Sequence, residues 1–167
     1  MKILVTGGTG FLGKRLVKKL LEEGHKVSVF ARHEKDDFPE GAVLYTGDIR
    51  DKDALKKAFS GVSVVYHLAI CLNEADQDMR DINVSGTQNV ADLCKETGVK
   101  ALIYMGSSGV LGETKEPSRE DFPYNPKTKY ERSKMEGEKM IIESGVPYTI
   151  IRTTIIIGPN IVWMKIL

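Results

Sequence analysis

The sequence predicts an α/β fold, a doubly wound parallel β-sheet with helices on both faces. Three observations carry that expectation. Six short apolar runs, at residues 2–5, 25–31, 42–46, 62–67, 99–105 and 148–157, alternate with longer amphipathic stretches. The first run leads into V-T-G-G-T-G-F-L-G at residues 5–13 and then into a helical pattern. The second run returns after that one helix, so the opening unit is a right-handed βαβ crossover. With 167 residues, the chain is long enough for one domain with a sizeable core.

In chain order, residues 2–5 form a buried strand. Residues 11–23 form a helix, because Leu12, Leu16, Val17, Leu20 and Leu21 recur at helical spacing. Between them Gly7 takes a turn where a side chain would clash, Gly10 lets the backbone approach a pyrophosphate, and Gly13 lets the helix pack closely on the strand. The helix N-terminus then offers N–H groups and partial positive charge to phosphate. Strand, glycine turn and helix in this order predict a Rossmann-type dinucleotide site. Gly24 ends the helix.

The second strand, 25–31, ends in Ala31-Arg32-His33. An acidic residue at that strand end selects NAD through the adenosine ribose, and an arginine accommodates the 2′-phosphate of NADP. No carboxylate occurs before Glu34, so NADP is favoured. In the alternative, Arg32 is an ordinary exposed arginine, and Glu34 or Asp36 folds back to the ribose. Residues 33–41 read as a loop and 42–46 as the third strand. Asp48 follows at a carboxyl end, where ligands bind in open parallel sheets. Either Asp48 or Asp51 caps a helix over 52–59, and Asp51 suits the cap better. The fourth strand, 62–67, ends in small and apolar residues, Leu68 and Ala69. A long helix is expected over 75–98, with Asn83 in its middle. An asparagine there is unfavourable unless its amide finds a partner. The fifth strand ends in Gly106-Ser107-Ser108-Gly109. Residues 112–126 read as a surface loop, 129–143 as a helix, and 148–157 as the last strand.

Composition excludes several functions. The net charge is +1, with no basic face for nucleic acid. Cys71 and Cys94 form no C-x-x-C pair, and His25, His33 and His67 show no ligand spacing, so no metal site is expected. No apolar run approaches a membrane span, and the chain opens directly in a strand rather than a signal peptide. A cytoplasmic protein with a small-molecule substrate, and no nucleic-acid or membrane partner, is expected.

Chemistry concentrates on Ser107 at a strand end and on Tyr130 and Lys134, four apart on one helical face. A tyrosine hydroxyl can give or take the proton as a carbonyl and an alcohol interconvert. A nearby ammonium would lower its pKa from about 10. The serine would position the substrate oxygen. Y-x-x-x-K alone is weak; the nucleotide turn far upstream and the Ser-Ser strand end give it weight.

Together these stretches resemble the extended short-chain dehydrogenase/reductase family, the NAD(P)-dependent epimerase/dehydratase group. The matching motifs are T-G-G-T-G-F-L-G at 6–13, G-D-I-R-D at 47–51, H-L-A at 67–69, N-V-S-G-T at 83–87, S-S-G-V-L-G at 107–112, Y-E-R-S-K at 130–134 and I-R-T-T-I-I-I-G-P at 151–159. The resemblance implies a catalytic trio of Ser107, Tyr130 and Lys134, with Ser108 the runner-up for the serine and Asn83 supporting a proton relay. It implies cofactor contacts from Gly7, Thr9, Gly10, Phe11, Leu12, Gly13, Arg32, Asp48, Ile49, Leu68, Ala69 and Thr154, besides Tyr130 and Lys134. Asp48 and Ile49 would hold adenine.

Three departures from the family pattern shape the expectation. The dehydratases carry an Asp-Glu pair where this chain has Ser108-Gly109. The epimerases carry an acidic residue where it has Ala31, which shifts weight towards an NADPH reductase. Family members also have a smaller substrate-binding part, largely C-terminal. Residues 1–160 are therefore expected to form the NAD(P)-binding domain, and 161–167 the start of that second part, cut short. The expected function is hydride transfer on a nucleotide sugar or a small carbonyl compound, epimerase-like or reductase-like, with homodimerisation one way to complete the site. The alternative is a non-catalytic NAD(P)-binding module that senses redox state; such members tend to lose the Tyr/Lys pair retained here.

Overall fold

The computed structural model describes residues 1–33, 38–114 and 117–158. Six strands form one sheet: β1 (Lys2–Thr6), β2 (Lys26–Ala31), β3 (Val43–Thr46), β4 (Val64–His67), β5 (Ala101–Ser107) and β6 (Tyr148–Thr153). Their order is β3-β2-β1-β4-β5-β6, and every pairing is parallel. This is the Rossmann strand order. The helices are α1 (Phe11–Glu22), α2 (Lys52–Lys56), α3 (Met79–Asn83), α4 (Ser85–Thr97) and α5 (Lys129–Glu143).

Side chains alternate between the two faces, as the strand period requires. On one face Ile3, Val5, Val27, Val29 and Ala31 bury Val17 and Leu20 of α1. On the other face Leu4, Phe30, Val65, Leu102 and Tyr104 pack against α2, α4 and α5 through Leu55, Val90, Leu93 and Ile141. The glycine motif, the segment after β4 and the end of β5 thus share the carboxyl edge of the sheet.

Three expectations change. The helix expected over 75–98 begins only at Met79 and is divided at Val84. Before Met79, the Asn73 and Asp76 side chains accept the Ala75 and Asp78 N–H groups at 3.1 and 2.9 Å, local bonds that compete with helix. At the division the Thr87 hydroxyl donates to the Asn83 carbonyl at 2.6 Å. The last strand ends at Thr153 rather than at 157. Its partner β5 ends in register with it, at the pair Ser107–Thr153, and turns away into a 3-10 turn over Ser108–Leu111. Asp51 caps α2, accepting from Asp53 and Ala54 N–H. Glu34, Asp36 and the 161–167 tail lie outside the described residues.

Candidate active site

The glycine motif is held by close approach of backbone to backbone. Gly7 has φ 71° and its N–H donates to the Phe30 carbonyl at 3.0 Å. A Cβ there would lie 2.7 Å from Ala69 N and 2.8 Å from Leu68 C, so the segment after β4 lies directly against the turn. A Cβ on Gly13 would strike the Gly7 carbonyl and lie 2.7 Å from Gly8 Cα. Gly8, which the sequence reading passed over, is as constrained: its Cβ would meet the Val29 methyls at 2.7 and 2.8 Å. Gly10 is the N-cap of α1, with no side chain to occupy the helix N-terminus. This is the bare, backbone-lined cradle that a pyrophosphate requires. Thr9 is buried, Phe11 and Leu12 are half-buried, and the Phe11 ring meets the chain again at Gly158.

At the ends of β2 and β3 the picture is mixed. Arg32 is exposed. Asp48 is not free: Arg50 grips it with Nε on Oδ1 at 2.9 Å and a second nitrogen on Oδ2 at 2.7 Å. Arg50 also reaches Asp78 at 2.9 Å. The Arg50 hydrogen bonds hold the Asp48 carboxyl below the usual carboxylate range. Ile49 turns its side chain into the core, against Gly86 of α4, and is 6% exposed. Asn89 fixes this turn by donating to the Ile49 and Arg50 carbonyls.

Ser107, Ser108, Tyr130, Thr153, Thr154 and Ile155 line one cavity of about 340 Å3 at the same edge. Ser107 and Tyr130 face this cavity together, and the Ser107 oxygen accepts the Gly109 N–H at 3.2 Å. Tyr130 stands in the first turn of α5, which the Thr128–Glu131 capping box anchors. From the segment after β4, Glu74 accepts the Tyr130 N–H at 3.1 Å. One turn further on, Lys134 is 3% exposed, with Nζ 4.2 Å from the centroid of the Tyr104 ring. Lys134 is not among the groups that shift the Tyr130 phenol. Burial raises the Tyr130 phenol above its usual value, and the nearby Ser107 side chain opposes that rise. Burial lowers Lys134 to about 7, against the pull of Glu138.

Asn83 is buried and its amide is fully engaged. It accepts from Cys71 N–H at 2.8 Å and donates to the Cys71 carbonyl and to Ser133 Oγ, both at 3.0 Å. Ser133 in turn donates to the Tyr130 carbonyl at 2.7 Å. Asn83 thus ties the segment after β4 to the helix that carries Tyr130.

A model of the NAD dependent epimerase/dehydratase family matches residues 3–164. The chain belongs to this family. The Mus musculus sterol-4-alpha-carboxylate 3-dehydrogenase, decarboxylating, is 35% identical over 87% of this chain and 42% of its own length. The crystal structure of the Bordetella bronchiseptica enzyme WbmG in complex with NAD and UDP has a TM-score of 0.83 at 31% identity, over 90% of this chain and 52% of its own. That of Thermus thermophilus UDP-glucose 4-epimerase with NAD has a TM-score of 0.82 at 28% identity, over 91% and 54%. This epimerase/dehydratase chain spans about half the length of these relatives.

Several residues escaped the sequence reading. His67 is buried, with Nδ1 2.7 Å from Thr6 Oγ1 and Nε2 2.9 Å from Thr87 Oγ1. Because the Thr87 hydroxyl donates to Asn83 O, it accepts from His67, which fixes the Nε2–H tautomer. Thr6 accepts the Ala69 N–H at 3.3 Å and donates to Nδ1. Glu138 is fully buried and Arg152 forks onto both its oxygens. The Tyr104 hydroxyl approaches Thr87 without forming a hydrogen bond. The sequence did not show the partners of the strand-end histidine and the helical glutamate, since they lie 14 to 61 residues away.

Proposed function

We infer that this chain is the dinucleotide-binding and proton-transferring part of an NAD(P)-dependent oxidoreductase of the epimerase/dehydratase family, acting on a nucleotide sugar or a small carbonyl compound. The observation that carries this reading is the single cavity joining Ser107, Tyr130 and Thr154 at the edge that also holds the glycine cradle. Backbone glycine positions that a Cβ would fill fit a pyrophosphate, so an NAD(P) molecule suits the residues present. When bound, its nicotinamide supplies the hydride donor or acceptor. Tyr130 holds the proton that joins or leaves the substrate oxygen. Ser107 orients that oxygen, and Lys134 supplies a switchable positive charge behind the site. Asn83 acts as a positioning residue, since its amide is committed to Cys71 and Ser133. With Ser108-Gly109 after Ser107, no carboxylate stands ready to eliminate water.

NADP is the favoured cofactor, on Ala31 and the exposed Arg32 at the β2 end. The unpaired Cys71 and Cys94 fit a reducing, cytoplasmic setting. Calorimetry with NADP(H) and NAD(H), repeated on Arg32→Ala, tests the choice. Selective loss of NADPH affinity in the variant supports a reductase; preferential, Arg32-independent NAD binding returns the epimerase to first place. A non-catalytic redox-sensing module is the second reading, favoured by the burial that raises the Tyr130 phenol. Tyr130→Phe separates the two. An enzyme loses about 100-fold or more in hydride transfer while keeping cofactor affinity; a sensor changes little in either.

A further inference from the structure

Tyr130, Lys134 and Glu138 follow one another at single-turn spacing along α5, so all three lie on one helical face. Glu138 is 0% exposed, which for a carboxylate demands partners. Arg152 of β6 supplies them, with Nε 3.0 Å and a terminal nitrogen 2.9 Å from Oε2. The Tyr124 hydroxyl donates to Oε2 at 3.1 Å, and Arg152 also reaches the Glu120 carbonyl at 2.9 Å. The strap over 117–126 is thereby tied to the same carboxylate. Gly106 of β5 lies against it so closely that a Cβ would sit 2.6 Å from Oε1. In register with Arg152 and one residue on, Thr153 pairs with Ser107 and lines the cavity.

Among the described residues, the charged and titratable groups around Lys134 are few. They are Tyr104 on β5, His67 on β4, Tyr130 and Glu138 on α5 itself, and Arg152 on β6 beyond Glu138. From α3 and α4 come the uncharged Asn83 and Thr87, while Arg80 pairs with Glu136 on the exposed flank. His67 is held neutral by burial. Glu138 is thus the one carboxylate of this set.

We propose that Glu138, clamped by Arg152 and Tyr124, is a positioning residue that favours the protonated form of Lys134 behind the active site. The carboxylate is anchored at Oε2 by two Arg152 nitrogens and Tyr124, while Oε1 keeps a longer 3.3 Å bond to Arg152 Nε. It acts through a steady field at one turn's distance. Burial drives Lys134 towards neutrality and Glu138 opposes it, so the balance falls in the neutral pH range. The catalytic meaning of that charge rests on the function proposed above; the electrostatic coupling itself does not.

The test follows the Lys134 side chain by NMR, through its 13Cε resonance across pH, assigned by its disappearance in Lys134→Met. Glu138→Gln keeps the shape and removes the charge, and is expected to lower the Lys134 midpoint by about one pH unit. Arg152→Lys keeps the charge but loses the fork, so it lowers the melting temperature and leaves the midpoint in place. An unmoved midpoint in Glu138→Gln, or an equal movement in Arg152→Lys, overturns the proposal. Should Glu138→Gln fail to fold, Glu138→Asp withdraws the charge by one methylene and is expected to lower the midpoint by a smaller step; no downward step there overturns it too. A hydride-transfer pH profile that moves with the midpoint extends the coupling to catalysis. Absent hydride transfer would count against the proposed function and leave the Lys134 titration to decide this inference.

Discussion

At the residue scale, Lys134 makes stability depend on pH with a definite sign. Its folded pKa is depressed from 10.5 to about 7, chiefly by burial. Between those values the unfolded chain binds more protons than the folded one, so stability rises as pH rises. The melting temperature is expected to climb from pH 7 to about 8; above that the Cys94 thiol, pushed up to about 12 by burial, opposes the rise. Lys134→Met should remove that slope and melt higher than the parent at acid pH. Calorimetric scans across the window check this; a slope that survives in the variant assigns it elsewhere.

At the scale of elements, the turn between β1 and α1 depends on what its glycines lack. A Cβ on Gly13 meets the Gly7 carbonyl and Gly8 Cα, backbone atoms that cannot rotate away. On Gly10 it would meet only the Gly7 carbonyl, at 3.1 Å. Gly13→Ala is therefore expected to cost about 1–3 kcal/mol and to weaken NAD(P) binding. Gly10→Ala should cost clearly less in folding. Denaturant unfolding of the pair decides, and equal losses would mean that the strand-to-helix approach is looser than its geometry. Similar logic applies to α5, whose first turn is secured from two directions, by its own capping box and by Glu74 from the segment after β4.

At the scale of the whole molecule, one row of the sheet connects the halves of the site. Phe30, Thr6, His67, Tyr104 and Ile150 stand side by side across β2, β1, β4, β5 and β6. From its centre, hydrogen bonds run from Ala69 N–H through Thr6, His67 and Thr87 to the Asn83 carbonyl, and from the Asn83 amide through Ser133 to Tyr130. The glycine turn and the helix that carries Tyr130 are thereby held in one frame. Burial depresses His67 to about 3 from 6.5. As pH falls through that interval the unfolded chain takes up a proton that the folded chain refuses, and stability is lost. The melting temperature should fall between pH 6.5 and about 5, above the carboxylate range. His67→Gln, though less stable at pH 7 for its lost bonds, should show a flatter slope there. An unchanged slope in the variant would place the proton uptake on another group.

Sequence alone determined the alternation of strands and helices, the glycine turn between β1 and α1, and the placing of Tyr130 and Lys134 on one helical face. All of these are local: periodicity of two or 3.6, a glycine where no side chain fits, and a four-residue spacing on one helix. The helix start was misread because the Asn73 and Asp76 side chains compete locally for backbone N–H groups, and the β6 end because it is set by the point where β5 turns away from its partner. Asn83 was legible as an awkward mid-helix amide, but its partners Cys71 and Ser133 were not. Asp48 likewise stood out at its strand end, yet only the folded chain binds it to Arg50 and turns Ile49 into the core. His67 and Arg152 stood inside recognised motifs and Glu138 in none, but the sequence showed the partners of none of them. A buried polar group is defined by the company it keeps, and strand register brings that company from distant parts of the chain.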